Sequence, residues 1–271
     1  MLSDIDAPAA RWFRRITKWD GSPRARLICF PHAGGTASYF RGWSRLVPSD
    51  IEVLAVRYPG REDRFVDPFA ESMEELADDV SAAVQPLLDR PVAFFGHSMG
   101  ASVAYEVAAR LSAKARPHAG RAPFHGPAPV ALFLSGRAGP GHERMRNLGK
   151  ADDRELIDAV IGMGGTEAHA FNDPELRDLV LPVIRSDFRL VERYGRTSPG
   201  SRALSTPVFA YYGDHDAHLD PRAIEAWSAV TSGPFTVRSF DGGHFYLARH
   251  AEELVGDVVG RLRPHLGRPA R

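Results

Sequence analysis

The pentapeptide Gly96-His97-Ser98-Met99-Gly100 lies between an apolar run, Val92-Ala93-Phe94-Phe95, and a run of small and apolar residues from Ala101 to Ala109. The first run reads as a buried strand and the second as a helix, so the chain must turn sharply between them and leave a serine at the apex. A turn that tight forces the serine into a strained backbone conformation and leaves no room for Cβ atoms on either side, which is why glycines flank it. An ordinary glycine-rich turn is the plainer reading of Gly-x-Ser-x-Gly. The strand before and the helix after favour an elbow that presents Ser98 as a nucleophile.

Strands and helices alternate along the rest of the chain as a parallel sheet requires. Leu27-Ile28-Cys29-Phe30, Ile51 to Val56, Val130 to Leu134, Pro207 to Tyr211 and Val237 to Phe240 read as further strands. Met73 to Leu88 reads as a helix, and another starts near Ala251. Ala101, Ala104 and Ala108 let the helix after Ser98 pack close to the sheet. The alternation breaks between about Gly136 and Ser205, where two helical stretches and no strand are predicted. An inserted lid, at about residues 137–204, would read this way.

One lid helix carries the stripe Leu156, Ile157, Val160 and Ile161; the other carries Leu176, Leu179, Val180, Val183 and Ile184. The second is expected to begin with Asp173 as N-cap and Pro174 in the first turn. Pro182 is expected to kink it. Gly162-Met163-Gly164-Gly165, between the two, is a candidate hinge.

Three further groups complete a catalytic set. His244 lies in Asp241-Gly242-Gly243-His244-Phe245-Tyr246, a glycine-flexed loop after the last strand that can carry an imidazole back over the strand ends, and it is the candidate general base. The acid comes from Gly213-Asp214-His215-Asp216-Ala217-His218-Leu219-Asp220, where several carboxylates follow one strand. Alternating aspartate and histidine could also hold a metal ion. A turn after a strand favours aspartate in any case, and no His-Glu-x-x-His helix supports a metal, so none is expected. Asp216 is the better acid, with Gly213 starting the turn and Asp214 bonding its backbone. Pro31-His32-Ala33-Gly34-Gly35 stands where a lipase has its His-Gly-Gly-Gly oxyanion loop, so the main-chain N–H groups of Ala33 and Met99 are the candidate oxyanion donors. A phosphate-cradling loop would need a glycine pattern that is absent here. The chain order Ser, Asp, His is that of an α/β-hydrolase.

These motifs resemble a known family. Phe30-Pro31-His32-Ala33-Gly34-Gly35, Tyr58-Pro59-Gly60-Arg61, Gly96-His97-Ser98-Met99-Gly100, Gly164-Gly165-Thr166 and Gly242-Gly243-His244-Phe245-Tyr246 together look like the type II thioesterases. Those are the discrete editing enzymes that accompany modular polyketide synthases and nonribosomal peptide synthetases. The likeness runs from about Trp12 to Leu266. It implies a triad of Ser98, Asp216 and His244, a lid over an acyl chamber, and acyl or peptidyl carrier proteins as partners. The reaction it implies is release of stray acyl groups from a phosphopantetheine arm through a serine acyl-enzyme. No metal or organic cofactor is implied. The sequence departs from the family pattern in a long Lys114 to Pro129 segment rich in Pro, His and Gly, and in Tyr211-Tyr212-Gly213 before the acid.

Composition sets the remaining bounds. The 271 residues suit a single domain, 1–271, large enough for a full α/β core. With 34 basic and 34 acidic residues the formal net charge is zero, which argues against nucleic acid or a membrane surface as partner. The single cysteine, Cys29, falls in a core strand and is expected to pack there. The N-terminal residues lack a signal pattern and no segment reaches the length of a membrane span, so a cytoplasmic protein is expected, with a monomer favoured. Two arginine-rich clusters, Arg11, Arg14, Arg15 and Lys18, and Arg137, Arg144 and Arg146, are candidates for steering an acidic carrier. A carboxylesterase or a chain-releasing thioesterase would share the triad. A non-catalytic binding module would not need it intact.

Overall fold

Seven strands form one sheet in the order β1-β3-β2-β4-β5-β6-β7. The computed structural model describes residues 7–18, 23–114, 128–143, 146–165, 171–197 and 204–266. The strands are β1 (Phe13–Arg15), β2 (Ala25–Phe30), β3 (Ile51–Val56), β4 (Val92–His97), β5 (Ala131–Ser135), β6 (Val208–Gly213) and β7 (Phe235–Phe240). All neighbours run parallel except β1, which pairs antiparallel with β3 from Phe13↔Val56 to Arg15↔Leu54. Every residue of β2, β3, β4 and β5 is buried, because helices cover both faces and a parallel strand then has no wet side.

One face packs on α1 (Ala7–Trp12), α2 (Met73–Val84) and α3 (Met99–Lys114), and the other on α8 (Ala251–Leu262) with the short helical stretch Ala37–Arg45. Ala101, Ala104 and Ala108 of α3 are fully buried, and the helix lies close to β4 as their small size allows. Ser72 caps α2 by accepting the Glu75 N–H at 3.0 Å. Cys29 is buried in β2. The predicted strands appear near their expected places; β1 and the short α6 (Pro221–Glu225) and α7 (Tyr246–Arg249) were not anticipated.

Between β5 and β6 the described residues hold two longer helices, α4 (Asp153–Met163) and α5 (Pro174–Thr197). Asp173 caps α5 by accepting the Glu175 N–H at 2.9 Å. The helix continues through Pro182 to Thr197. Leu156, Val160, Leu181 and Ile184 join Leu148 and Phe171 in a small apolar cluster of their own. The expected α5 stripe holds only in part: Leu176 and Leu179 are about half exposed, at 47% and 48%. They stand on the first turns of α5, ahead of the part that packs on the rest of the protein. Of the predicted features, the segment 115–127, Arg144 and Thr166 lie outside the described residues.

Candidate active site

β4 ends in the centre of the sheet and α3 begins at once, with Ser98 between them at φ 55°. This is left-handed backbone in a residue that is not glycine, a strained geometry that packing must hold in place. The two glycines make it possible. A Cβ on Gly96 would strike the Gly100 carbonyl, and one on Gly100 would strike the Phe30 and Pro31 carbonyls at the end of β2. The Ser98 N–H is taken by the Ser135 carbonyl at 2.8 Å, which ties the elbow to β5.

His244 lies in the turn after β7, and Asp216 in the turn after β6. His244 Nδ1 and Asp216 Oδ2 are 2.6 Å apart, and both residues are buried. Burial alone would raise the Asp216 carboxyl pKa, but the hydrogen bond and charge of His244 and the N–H of His218, at 2.9 Å, outweigh it and hold the group below its ordinary range. The Asp214 side chain bonds the other loop and not the backbone of its own turn: it accepts the Gly242 N–H at 3.1 Å and so braces the loop that bears His244. The neighbouring Asp214, His215 and Asp241 bring their ligand atoms within 4.8 Å of one another. All three are exposed, and His215 already pairs with both carboxylates at 3.3 Å.

Ser98, Asp216 and His244 border one cleft that is partly open to solvent. Its apolar wall comes from Met163 at the end of α4, Phe188 and Val191 on α5, and Leu219. Arg137, Glu143, Arg146, Glu192 and His218 give it a polar side. Phe188 and Val191 lie beyond the α5 stripe drawn from the sequence, so the cleft meets that helix farther along than expected. Met99 opens α3, and Ala33 lies in the loop after β2, whose start touches the elbow through Gly100.

Two buried histidines sit beside His244 and were not singled out from the sequence. The His97 and His244 rings have centroids 5.0 Å apart, and the His32 and His97 rings 6.0 Å. Burial, aided by the positive charge of His244 and Arg61, pushes His32 down to about 3. Burial and both neighbouring histidines push His97 well below its ordinary value. Both therefore stay neutral near pH 7. His97 Nδ1 is 2.9 Å from Ser135 Oγ, which reaches the Tyr246 hydroxyl at 2.6 Å.

In the candidate hinge, a Cβ on Gly165 would collide with the Phe245 ring, so this glycine permits close packing beside His244, whereas Gly162 and Gly164 face open space. In the arginine clusters, Arg11 pairs with Asp67 at 2.9 Å, Arg14 with Glu62 and Asp63, Arg15 with Glu52 at 2.7 Å, and Arg146 contacts His218 at 3.1 Å. Arg137 lines the cleft and donates to Ser102 Oγ at 3.0 Å. Glu52, Asp63 and Asp67 each pair with a second arginine as well, Arg26, Arg57 and Arg64 respectively.

Among the described residues no helix is long and apolar enough to cross a membrane. A family model for the thioesterase domain matches residues 25–262. The thioesterase PikA5 of Streptomyces venezuelae is 39% identical over 266 residues, which cover 98% of this chain and 90% of PikA5. Among solved structures, BorB, the type II thioesterase from the borrelidin biosynthetic cluster, superposes with a TM-score of 0.81 at 36% identity, covering 93% of this chain and 98% of BorB. YbtT, a type II thioesterase from the yersiniabactin pathway, gives a TM-score of 0.81 at 27% identity over 94% of this chain and 100% of YbtT. With its sheet order, elbow and buried Asp–His pair, this chain belongs to the thioesterase family, as a thioester hydrolase of the α/β-hydrolase fold and the type II kind.

Proposed function

We propose that Ser98, His244 and Asp216 hydrolyse acyl thioesters borne on the phosphopantetheine arm of carrier proteins, clearing misprimed or stalled modules of a polyketide or peptide synthase. The observation that carries the reading is the 2.6 Å contact between His244 Nδ1 and Asp216 Oδ2, beside a serine held at φ 55° on the rim of an open cleft. Asp216 fixes the imidazole tautomer, so that Nε2 is the basic nitrogen, and stabilises the imidazolium once it forms. His244 takes the Ser98 hydroxyl proton as Oγ attacks the thioester carbonyl, and the N–H groups of Ala33 and Met99 receive the oxyanion. The C–S bond breaks, the thiolate leaves with the proton from His244, and an acyl-Ser98 ester remains. Water, deprotonated by the same histidine, attacks that ester and releases the acid and free Ser98.

The reading treats α4 and α5 as a lid within one domain, with Phe188, Val191, Met163 and Leu219 meeting the acyl chain. It needs no metal or organic cofactor, and it places the enzyme in the cytoplasm with its carrier substrates. Type II thioesterases of the borrelidin and yersiniabactin systems support it by likeness. Kinetics of Ser98→Ala on an acyl-carrier thioester, with an oxygen ester of the same acyl group alongside, test it. The variant should lose on the order of 10⁶-fold in kcat, and the parent should prefer the thioester. Retained turnover would remove Ser98 from the mechanism, and a preference for the oxygen ester would make the protein an esterase in practice.

A further inference from the structure

The α5 helix grips the loop after β2 at two points three residues apart. Asp187 accepts the Gly34 N–H at 2.7 Å and both Arg61 guanidinium nitrogens, at 2.6 and 2.7 Å. Arg61 also donates to the Gly35 carbonyl at 3.1 Å. One ion pair thus holds the peptide chain at Gly34 and Gly35, directly after Ala33. One turn earlier on α5, Ile184 presses on Gly34, where φ is +75° and an added Cβ would lie 2.6 Å from Ile184 Cγ1.

Arg61 and Asp187 are both buried. A bidentate pair fixes direction as well as charge, yet burying it gains little stability, because desolvation offsets most of the attraction. The partners come from the loop after β3 and from a helix between β5 and β6, so no local turn or cap calls for the pair. What it does fix is the path of the main chain that carries the Ala33 N–H.

We infer that Asp187 and Arg61 are positioning residues for the oxyanion-binding main chain, so that the site is competent only while α5 is docked on the loop. The inference rests on the acyl-enzyme reading above. It makes the helix that walls the acyl cleft part of the frame for the chemistry, and it couples the fit of the acyl group against Phe188 and Val191 to the stabilisation of the oxyanion.

The test uses a soluble acyl-N-acetylcysteamine thioester, which leaves carrier docking aside, and an alkyl trifluoromethyl ketone whose tetrahedral adduct places an oxyanion where the intermediate has one. Asp187→Ala should lower kcat by on the order of 10²-fold, as loss of an oxyanion donor does, with KM changed by less than about threefold. It should weaken the ketone by a similar factor. Asp187→Asn, which keeps an acceptor for the Gly34 N–H, should recover part of both losses, and it serves as the main variant if Asp187→Ala does not fold. A folded variant with kcat near the parent value, or a loss confined to KM with ketone binding intact, would overturn the inference. Ser98→Ala runs alongside: turnover that survives it would overturn the acyl-enzyme reading itself.

Discussion

Replacing His32 by phenylalanine should change how the stability of this protein depends on pH while changing its stability at neutral pH little. His32 is buried, its Nδ1 has no hydrogen-bond partner among the described residues, and its ring lies 4.7 Å from Tyr39 and 4.8 Å from Phe245, centroid to centroid. Phenylalanine keeps a flat ring among these aromatics and removes an unsatisfied polar atom, so near pH 7.5 the variant should be about as stable as the parent. Acid separates them. Burial, with His244 and Arg61, holds His32 at about 3 in the folded protein, against about 6.5 in an unfolded chain. Because the folded value lies below the unfolded one, the unfolded state takes up a proton that the native state refuses between those values, and stability is lost as pH falls through the window. Each pH unit there is worth about 1.4 kcal/mol for one histidine. From about pH 6.5 to about pH 4 the parent should therefore lose roughly 3 kcal/mol more than His32→Phe. Urea unfolding of both proteins at a series of pH values measures this difference, and contributions common to both, such as those of Asp216 and His97, largely cancel. A stability difference that stays flat across the window would show that His32 accepts a proton in the folded state, and would refute the account of a neutral ring forced by burial.

Asp216→Asn should lower kcat on an acyl thioester by on the order of 10⁴-fold by misorienting the imidazole, whereas Asp214→Asn should have a far smaller effect; steady-state kinetics that rank them the other way would move the acid to Asp214. Gly165→Ala, which drives a methyl group into Phe245 beside His244, should reduce kcat more than tenfold, on the order of 1.4 kcal/mol in the barrier. Gly164→Ala faces open space at φ +83° and should instead cost about 1 kcal/mol of stability with kcat intact; equal kinetic losses in the two would refute the packing role. Across a series of linear acyl thioesters, selectivity should be broad, since each methylene in such a pocket is worth only about 1–3 kcal/mol, and a cut-off sharper than that between neighbouring chain lengths would point to a rigid end wall.

The parts of the site that follow strand ends were legible from sequence because topology alone delivers them. β4, β6 and β7 are apolar enough to be recognised, and a parallel sheet brings the turns after them to the same edge, so Ser98, Asp216 and His244 converge without any knowledge of side-chain contacts. The Arg61–Asp187 pair was not legible, because its members are 126 residues apart and neither stands in a periodic pattern that marks it. The first turns of α5 were misread for a related reason: periodicity names the apolar face of a helix, not how far the neighbouring body extends to cover it. β1 escaped notice as a three-residue edge strand with two arginines, held to β3 through main-chain bonds that sequence does not display. The ion pairs of the first arginine cluster were not legible either, because Glu62, Asp63 and Asp67 reach Arg11 and Arg14 only in the fold.

β7 has one neighbour and lies at the rim of the sheet, with Thr236, Val237 and Ser239 exposed. Ser98 is therefore mounted on the middle of the sheet and its proposed base, His244, on the margin, three strands away. Margins open first: rim strands exchange their amide hydrogens through local excursions that cost less than global unfolding. Warming should thus uncouple His244 from Ser98 while β2 to β5 remain intact, so that a heated sample falls silent in a thioesterase assay several degrees before its circular dichroism changes, and regains turnover on cooling.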